Sequence, residues 1–68
     1  MKPSTKIETA NAILAAINVM SRRFDVSEPE EWHRIEIAYD DLIAILEDLG
    51  FEQDIDFGND GSGNLVLF

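Results

Sequence analysis

The chain has no cysteine among its 68 residues. Neither a disulfide bond nor a thiolate metal site is therefore available to stabilise it. A domain of this length lies near the lower limit for folding without help. We therefore expect its stability to come from efficient helix packing, a bound ion or a partner subunit.

Positive charge is almost missing after residue 24. Residues 1–24 carry four Lys or Arg and one acid, a net charge of +3. Residues 25–68 carry Arg34 against thirteen Asp and Glu, a net charge of −12, and the whole chain has a net charge of −9. A field of like charges opposes the compact state and attracts cationic partners from a distance. Nucleic acid and anionic membranes would be repelled, so we expect neither as a direct partner.

Long apolar runs are also missing. The longest spans residues 12–17, far short of the roughly 20 apolar residues that cross a bilayer. No apolar segment before a small-residue cleavage site follows Lys2. A hydrophobic fraction of 46% is too high for a typical disordered acidic tail. These features predict a folded cytoplasmic protein.

Motifs for catalysis and cofactor binding are missing too. There is no serine elbow and no glycine-rich phosphate loop before a helix, so we expect neither enzyme activity nor a cofactor. Residues 56–64 partly match a calcium loop, but Gly58 and Leu67 occupy its third and twelfth ligand positions. His33 has no identifiable companion ligands. No metal site is predicted.

Two amphipathic helices are predicted instead. Thr5 and Glu8 fit a capping box, and apolar residues then recur at three- and four-residue steps: Ile7, Ala10, Leu14, Ile17, Met20 and Phe24. Helix 1 should span about residues 5–24. Ser27 as N-cap and Pro29 in the first turn predict that helix 2 begins near residue 28. Gly50 suits its end near residue 49.

The apolar period changes to two after Gly50. Alternation over residues 51–57 predicts a strand, residues 58–63 are typical of a turn, and residues 64–68 predict a second strand. The expected fold class is α+β: a helical hairpin, residues 5–49, followed by a C-terminal two-stranded antiparallel β-hairpin, residues 51–68, in a single small domain. Trp32 and Tyr39 are expected in its aromatic core.

The acidic residues provide the leading functional hypothesis. Carboxylates one helical turn apart are about 6 Å apart along the axis, and carboxylates two residues apart on a strand about 6.6 Å. Both spacings approximate the phosphate repeat of a nucleic-acid strand. We predict a small acidic inhibitor, of the phage or plasmid anti-defence or immunity type, that occupies the basic groove of a nucleic-acid-handling protein. The predicted contact residues are Glu36, Asp40, Asp41, Glu47, Asp48, Glu52, Asp54 and Asp56.

Apolar surfaces provide the alternative. Helix 1 carries a second stripe of small residues, namely Ala12, Ala15, Ala16 and Val19. The last strand presents apolar residues on both faces, with Leu65 and Leu67 on one and Val66 and Phe68 on the other. A homodimer, or an acidic dimeric adaptor or chaperone that acts through these surfaces, would account for both features.

Overall fold

The computed structural model describes residues 2–68. Helix α1 spans Pro3–Phe24 and helix α2 spans Pro29–Asp48. Strands β1, Phe57–Asn59, and β2, Leu65–Leu67, then form an antiparallel two-stranded sheet. The predicted fold class is confirmed: a helical hairpin followed by a β-hairpin in one small domain.

Both helices begin at a proline and not at the predicted hydroxyl caps. Lys2 and Glu28 occupy the N-cap positions, and neither side chain caps its helix. Proline suits the first helical position because its ring fixes φ and its missing N–H would have no helical acceptor there. The Ser27 hydroxyl instead donates to the Phe24 carbonyl at 3.0 Å, so this residue closes α1 and does not open α2.

The core is built around α1. Ala10, Leu14 and Ile17 on α1, Leu46 on α2 and Phe57 on β1 are buried together. Helix α1 contacts both α2 and β2, so it is the element against which the other two pack. The three-residue and four-residue spacing of its apolar side chains places them on the side that faces both neighbours.

The predicted extent of the first strand, residues 51–57, is wrong. The Asp54 N–H donates to the Phe57 carbonyl at 2.8 Å, and the Asp56 N–H donates to the Glu52 carbonyl at 2.8 Å. Asp54 has a φ of 68°, in the left-handed region, which Asp tolerates better than most residues. Residues 52–56 therefore form a compact loop, and strand β1 begins only at Phe57.

Side-chain amides and carboxylates organise the end of the sheet. Phe57 pairs with Leu67, Gly58 with Val66 and Asn59 with Leu65. In the connecting turn, Oδ1 of Asp60 accepts hydrogen bonds from the N–H and the hydroxyl of Ser62 at 2.8 and 2.6 Å. These bonds lower the pKa of Asp60, the hydroxyl bond most of all.

Asn18 joins the sheet to α1. Its Nδ2 donates to the Leu65 carbonyl at 3.0 Å, and its Oδ1 accepts the Leu65 N–H at 2.8 Å. One amide side chain thus satisfies both backbone groups of a residue in β2, as a neighbouring strand would. The bonded part of this strand edge is closed to pairing with another strand.

Candidate protein-binding surfaces

The structure places five of the eight predicted contact residues on the solvent side of α2. Their side chains are all exposed: Glu36, Asp40, Asp41, Glu47 and Asp48. At 100° per residue, the first, second and fourth of these lie along one flank of the helix, and the other two lie along the opposite flank. Both flanks are open to solvent, because the buried stripe that contains Leu46 lies on a different side of the helix.

None of these carboxylates forms an ion pair within residues 2–68. The ion pair in this part of the chain joins Arg23 to Glu31, with Nε to Oε1 at 2.7 Å and Nη2 to Oε2 at 3.1 Å. The hydrogen bond that Arg23 donates to Glu31, supported by the negative charge of that carboxylate, raises the pKa of Arg23. This pair joins the end of α1 to the first turn of α2 and leaves the charge of the predicted contact residues uncompensated.

The C-terminal end of α2 carries charge of the disfavoured sign. Glu47 and Asp48 lie in its last turn, which contains no basic residue. Free carbonyl groups give this end a partial negative charge, so carboxylates there oppose the helix dipole. Lys6 of α1 approaches the same end, with its Nζ 5.0 Å from the centre of the Phe51 ring. Helix formation alone does not account for the two carboxylates.

The other three predicted contact residues do not form the expected array. Glu52, Asp54 and Asp56 lie in the loop before β1, not along one face of a strand. Asp56 is half-buried, and its Oδ2 accepts the Glu52 N–H at 2.7 Å. Asp56 therefore has a structural function in the loop, and the regular spacing of about 6.6 Å along a strand is lost.

A cleft between the helices adjoins the acidic flank of Glu36. It has a volume of about 420 Å³ and lies where α1 ends. Its lining includes three half-buried apolar or aromatic side chains and three exposed carboxylates: Phe24, Ile35, Tyr39, Asp25, Glu36 and Asp40. We call this feature the interhelical cleft. The sequence predicts the two helices that contribute these residues. Only the packing of α1 against α2 brings the residues together in one cleft.

Trp32 does not occupy the predicted core position. Its side chain is 40% exposed and stacks on Phe24, with ring centroids 5.6 Å apart and an angle of 27° between the rings. Tyr39 does pack against the core cluster. Trp32 lies in the first part of α2, next to the end of α1, so its ring packs on Phe24 and stays partly in solvent.

Large apolar side chains are exposed at a second place. Ile7 on α1, Ile55 in the loop and Phe68 after β2 are 49%, 66% and 71% exposed. They surround a groove of about 530 Å³ that Val66 also lines. The Phe68 ring also covers Gly58, because a Cβ atom on this glycine would lie 2.7 Å from Cζ of the ring. We call this feature the Phe68 groove.

The small-residue stripe of α1 lies open to solvent. Ala12, Ala15, Ala16 and Val19 are all exposed.

Within residues 2–68, no group of three or more His, Asp or Glu side chains is placed to hold a metal ion. Neither helix in the described part of the chain is long and apolar enough to cross a membrane.

Comparison with known proteins gives no match. No protein-family model, no curated protein and no solved structure matches the chain. The functional assignment therefore depends on the chemistry of the surfaces described above.

Proposed function

We propose that the chain is a small acidic inhibitor that binds a basic, nucleic-acid-handling protein through the outer surface of α2. The uncompensated carboxylates of that helix support this proposal most directly. The five predicted contact carboxylates on α2 are all exposed, and none forms an ion pair within residues 2–68. Such a surface speeds encounter with a basic groove and then forms salt bridges to its Lys and Arg side chains.

The spacing on α2 favours a groove built for nucleic acid. Glu36 and Asp40 are one turn apart, which corresponds to about 6 Å along the axis. This is close to the distance between successive phosphates of one strand. The loop acids do not continue the series, so the proposed mimicry is limited to α2, with Glu52 and Asp54 as peripheral contacts. Inhibition would follow from simple occupancy of the groove.

The placement of charge at the helix end gives independent support. Glu47 and Asp48 lower the stability of α2 through the helix dipole. Residues that weaken a local structural preference without a compensating contact often belong to a functional surface. Contact with a basic partner would offset this cost.

A charge-matched pair of variants tests the proposal. The first replaces Asp40 and Glu47 with their amides. The second replaces Glu8 and Glu28, two acids that lie outside α2, with Gln. Both change the net charge by +2, so a difference between them reports position and not total charge.

Binding to a purified basic DNA-binding protein is measured at several salt concentrations, with lysozyme as a basic protein that has no nucleic-acid groove. Surface ion pairs contribute about 0.2–1 kcal/mol each. The α2 variant should therefore bind roughly 2- to 30-fold more weakly, mostly through slower association. The control variant should lose much less, and duplex DNA should compete with the wild-type chain. Equal losses in both variants, or equal binding of lysozyme, would contradict the proposal.

The exposed apolar side chains favour a second candidate function. The Phe68 groove has three large side chains in solvent, and exposed apolar patches mark association sites. The chain would then be a dimeric adaptor or chaperone whose charge keeps it soluble. The homodimer would use this groove or the α1 stripe, because Asn18 closes the β2 edge at Leu65.

Sedimentation distinguishes this candidate from the first. A dimer held by the groove should dissociate when Ile55→Ser and Ile7→Ser are combined, while the Val19→Ser variant reports the α1 stripe. Monomeric behaviour of the wild-type chain at high micromolar concentration would contradict self-association. It would leave the acidic-surface proposal intact.

A further inference from the structure

We propose that the interhelical cleft binds the side chain of an arginine from the basic partner. This inference rests on the proposed function, since the arginine would belong to the protein that α2 binds. It assigns a specific contact to a surface that otherwise acts only through its overall charge.

The chemistry of the cleft specifies an amphipathic cation. Glu36, Asp40 and Asp25 are exposed at its rim, and none pairs with a cation within residues 2–68. The apolar side chains of Phe24 and Ile35 lie in the same cleft. An occupant that satisfies both must carry a positive group on an apolar stem. A volume of about 420 Å³ lies in the range of small-molecule pockets and is ample for one long side chain.

Aromatic rings favour arginine over lysine. Phe24 and Tyr39 both line the cleft, and Trp32 stacks on Phe24 with 5.6 Å between the ring centroids. A guanidinium group stacks on aromatic rings and pairs with carboxylates through a planar fork, whereas an ammonium is a compact, strongly hydrated charge. The three carboxylates at the rim offer several acceptors to such a fork.

The neighbouring charges of the chain itself do not fill this position. Arg23, close in sequence to the cleft, forms two hydrogen bonds with Glu31. Arg23 lines a separate depression with Glu28 and Arg34, and no basic residue is among the described residues that line the cleft. The cleft thus presents negative charge and apolar surface together to an incoming cation.

A small probe tests the cleft without the partner. n-Butylguanidinium is titrated into the isotope-labelled full chain, and the Ile35 methyl and Tyr39 ring signals are followed by NMR. Guanidinium without a stem, n-butanol without a charge and n-butylammonium serve as comparison probes. We expect saturable shifts at the cleft with n-butylguanidinium, and at least about fivefold weaker binding of each comparison probe.

Two variants of equal charge locate the site. Glu36→Gln with Asp40→Asn removes two rim carboxylates, and Asp41→Asn with Asp48→Asn removes two from the opposite flank. The first should weaken n-butylguanidinium binding about fivefold or more, since two surface ion pairs are lost. The second should change it less than twofold. Circular dichroism checks that both variants are folded.

Three results would overturn the inference: equal losses in the two variants, equal binding of n-butylammonium, or shifts spread evenly over all acidic residues. The outcome is separable from that of the proposed function. Cleft-specific probe binding without any binding of basic proteins would contradict the proposed function alone. Binding of a basic DNA-binding protein that the rim variant and its control weaken equally would contradict this inference alone.

Discussion

Replacement of Asn18 by Ala should remove a substantial part of the stability of the fold. The substitution deletes two hydrogen bonds to Leu65, at 3.0 and 2.8 Å, in a partly buried position. Each such bond contributes about 0.5–1.5 kcal/mol, so the loss is about 1–3 kcal/mol. For 68 residues a total stability of about 3–10 kcal/mol is typical. The sheet should therefore separate from α1 at markedly lower denaturant.

Helix propensity works in the opposite direction and must be subtracted. Alanine is a better helix former than asparagine by up to about 0.7 kcal/mol. Asn11 lies on the same helix, is exposed, and makes no side-chain hydrogen bond within residues 2–68. Asn11→Ala therefore gains helix propensity and loses no hydrogen bond. The difference between the two variants isolates the contact with Leu65.

Urea unfolding followed by far-ultraviolet circular dichroism gives the free energy of unfolding for each variant. Asn18→Ala should lie about 1–3 kcal/mol below Asn11→Ala. Asn18→Asp should not rescue the loss, because a carboxylate cannot donate to the Leu65 carbonyl. If the two alanine variants agree within about 0.3 kcal/mol, the paired hydrogen bonds do not hold the sheet to α1, and the reasoning is refuted.

Three further predictions concern charge and backbone conformation. Glu47→Gln and Asp48→Asn should each raise the free energy of unfolding by about 0.3–1 kcal/mol at low salt; a gain that persists in 1 M salt would contradict the dipole explanation. Gly50→Ala should lower the midpoint of thermal unfolding, because φ is +96° and a left-handed alanine is disfavoured by about 1–2 kcal/mol. The pKa of Asp60 is lower in the folded state than its usual value of 3.8, so ionised Asp60 stabilises the fold at pH values above 3.8. This contribution disappears as the pH falls through the pKa of the folded state. The difference in stability between wild type and Asp60→Ala should thus be constant from pH 7 to 5 and shrink below about pH 4; a difference that grows in acid would refute the assignment.

The helices could be predicted from the sequence because their signals are local. Three- and four-residue spacing identified the side chains that form the core, including Leu14 and Ile17. Gly50 marks the end of α2, where its left-handed conformation lets the chain leave the helix. The start positions were less well predicted because a hydroxyl and a proline both suit a helix start, and proline occupies it in both cases.

The loop before β1 could not be distinguished from a strand by its pattern. Phe51, Ile55 and Phe57 alternate with acids in either conformation, since a period of two describes only which residues are apolar. The outcome depends on local hydrogen bonds that the pattern does not contain. Asp56 accepts the Glu52 N–H, and Asp54 tolerates a positive φ, so a loop replaces the extended chain.

Long-range features were not predictable from spacing. Asn18 and Leu65 are 47 positions apart, and nothing near either residue indicates the contact. The interhelical cleft depends in the same way on the packing of α1 against α2. Local patterns identified the two helices and most of their apolar faces, whereas the loop before β1, the polar contact between elements and the shape of the surface required the structure.

The division of tasks between the helices makes the acidic surface experimentally accessible. Helix α1 contacts both α2 and β2, so most substitutions on its inner face would disturb the core. Helix α2 is buried at Leu46 and packs through one stripe, and the five predicted contact carboxylates on it form no ion pair within residues 2–68. Amide substitutions there remove repulsion without removing a hydrogen bond or an ion pair of the fold. A loss of partner binding in a folded α2 variant would therefore report the surface itself, while a loss of stability would show that these carboxylates have a structural partner after all.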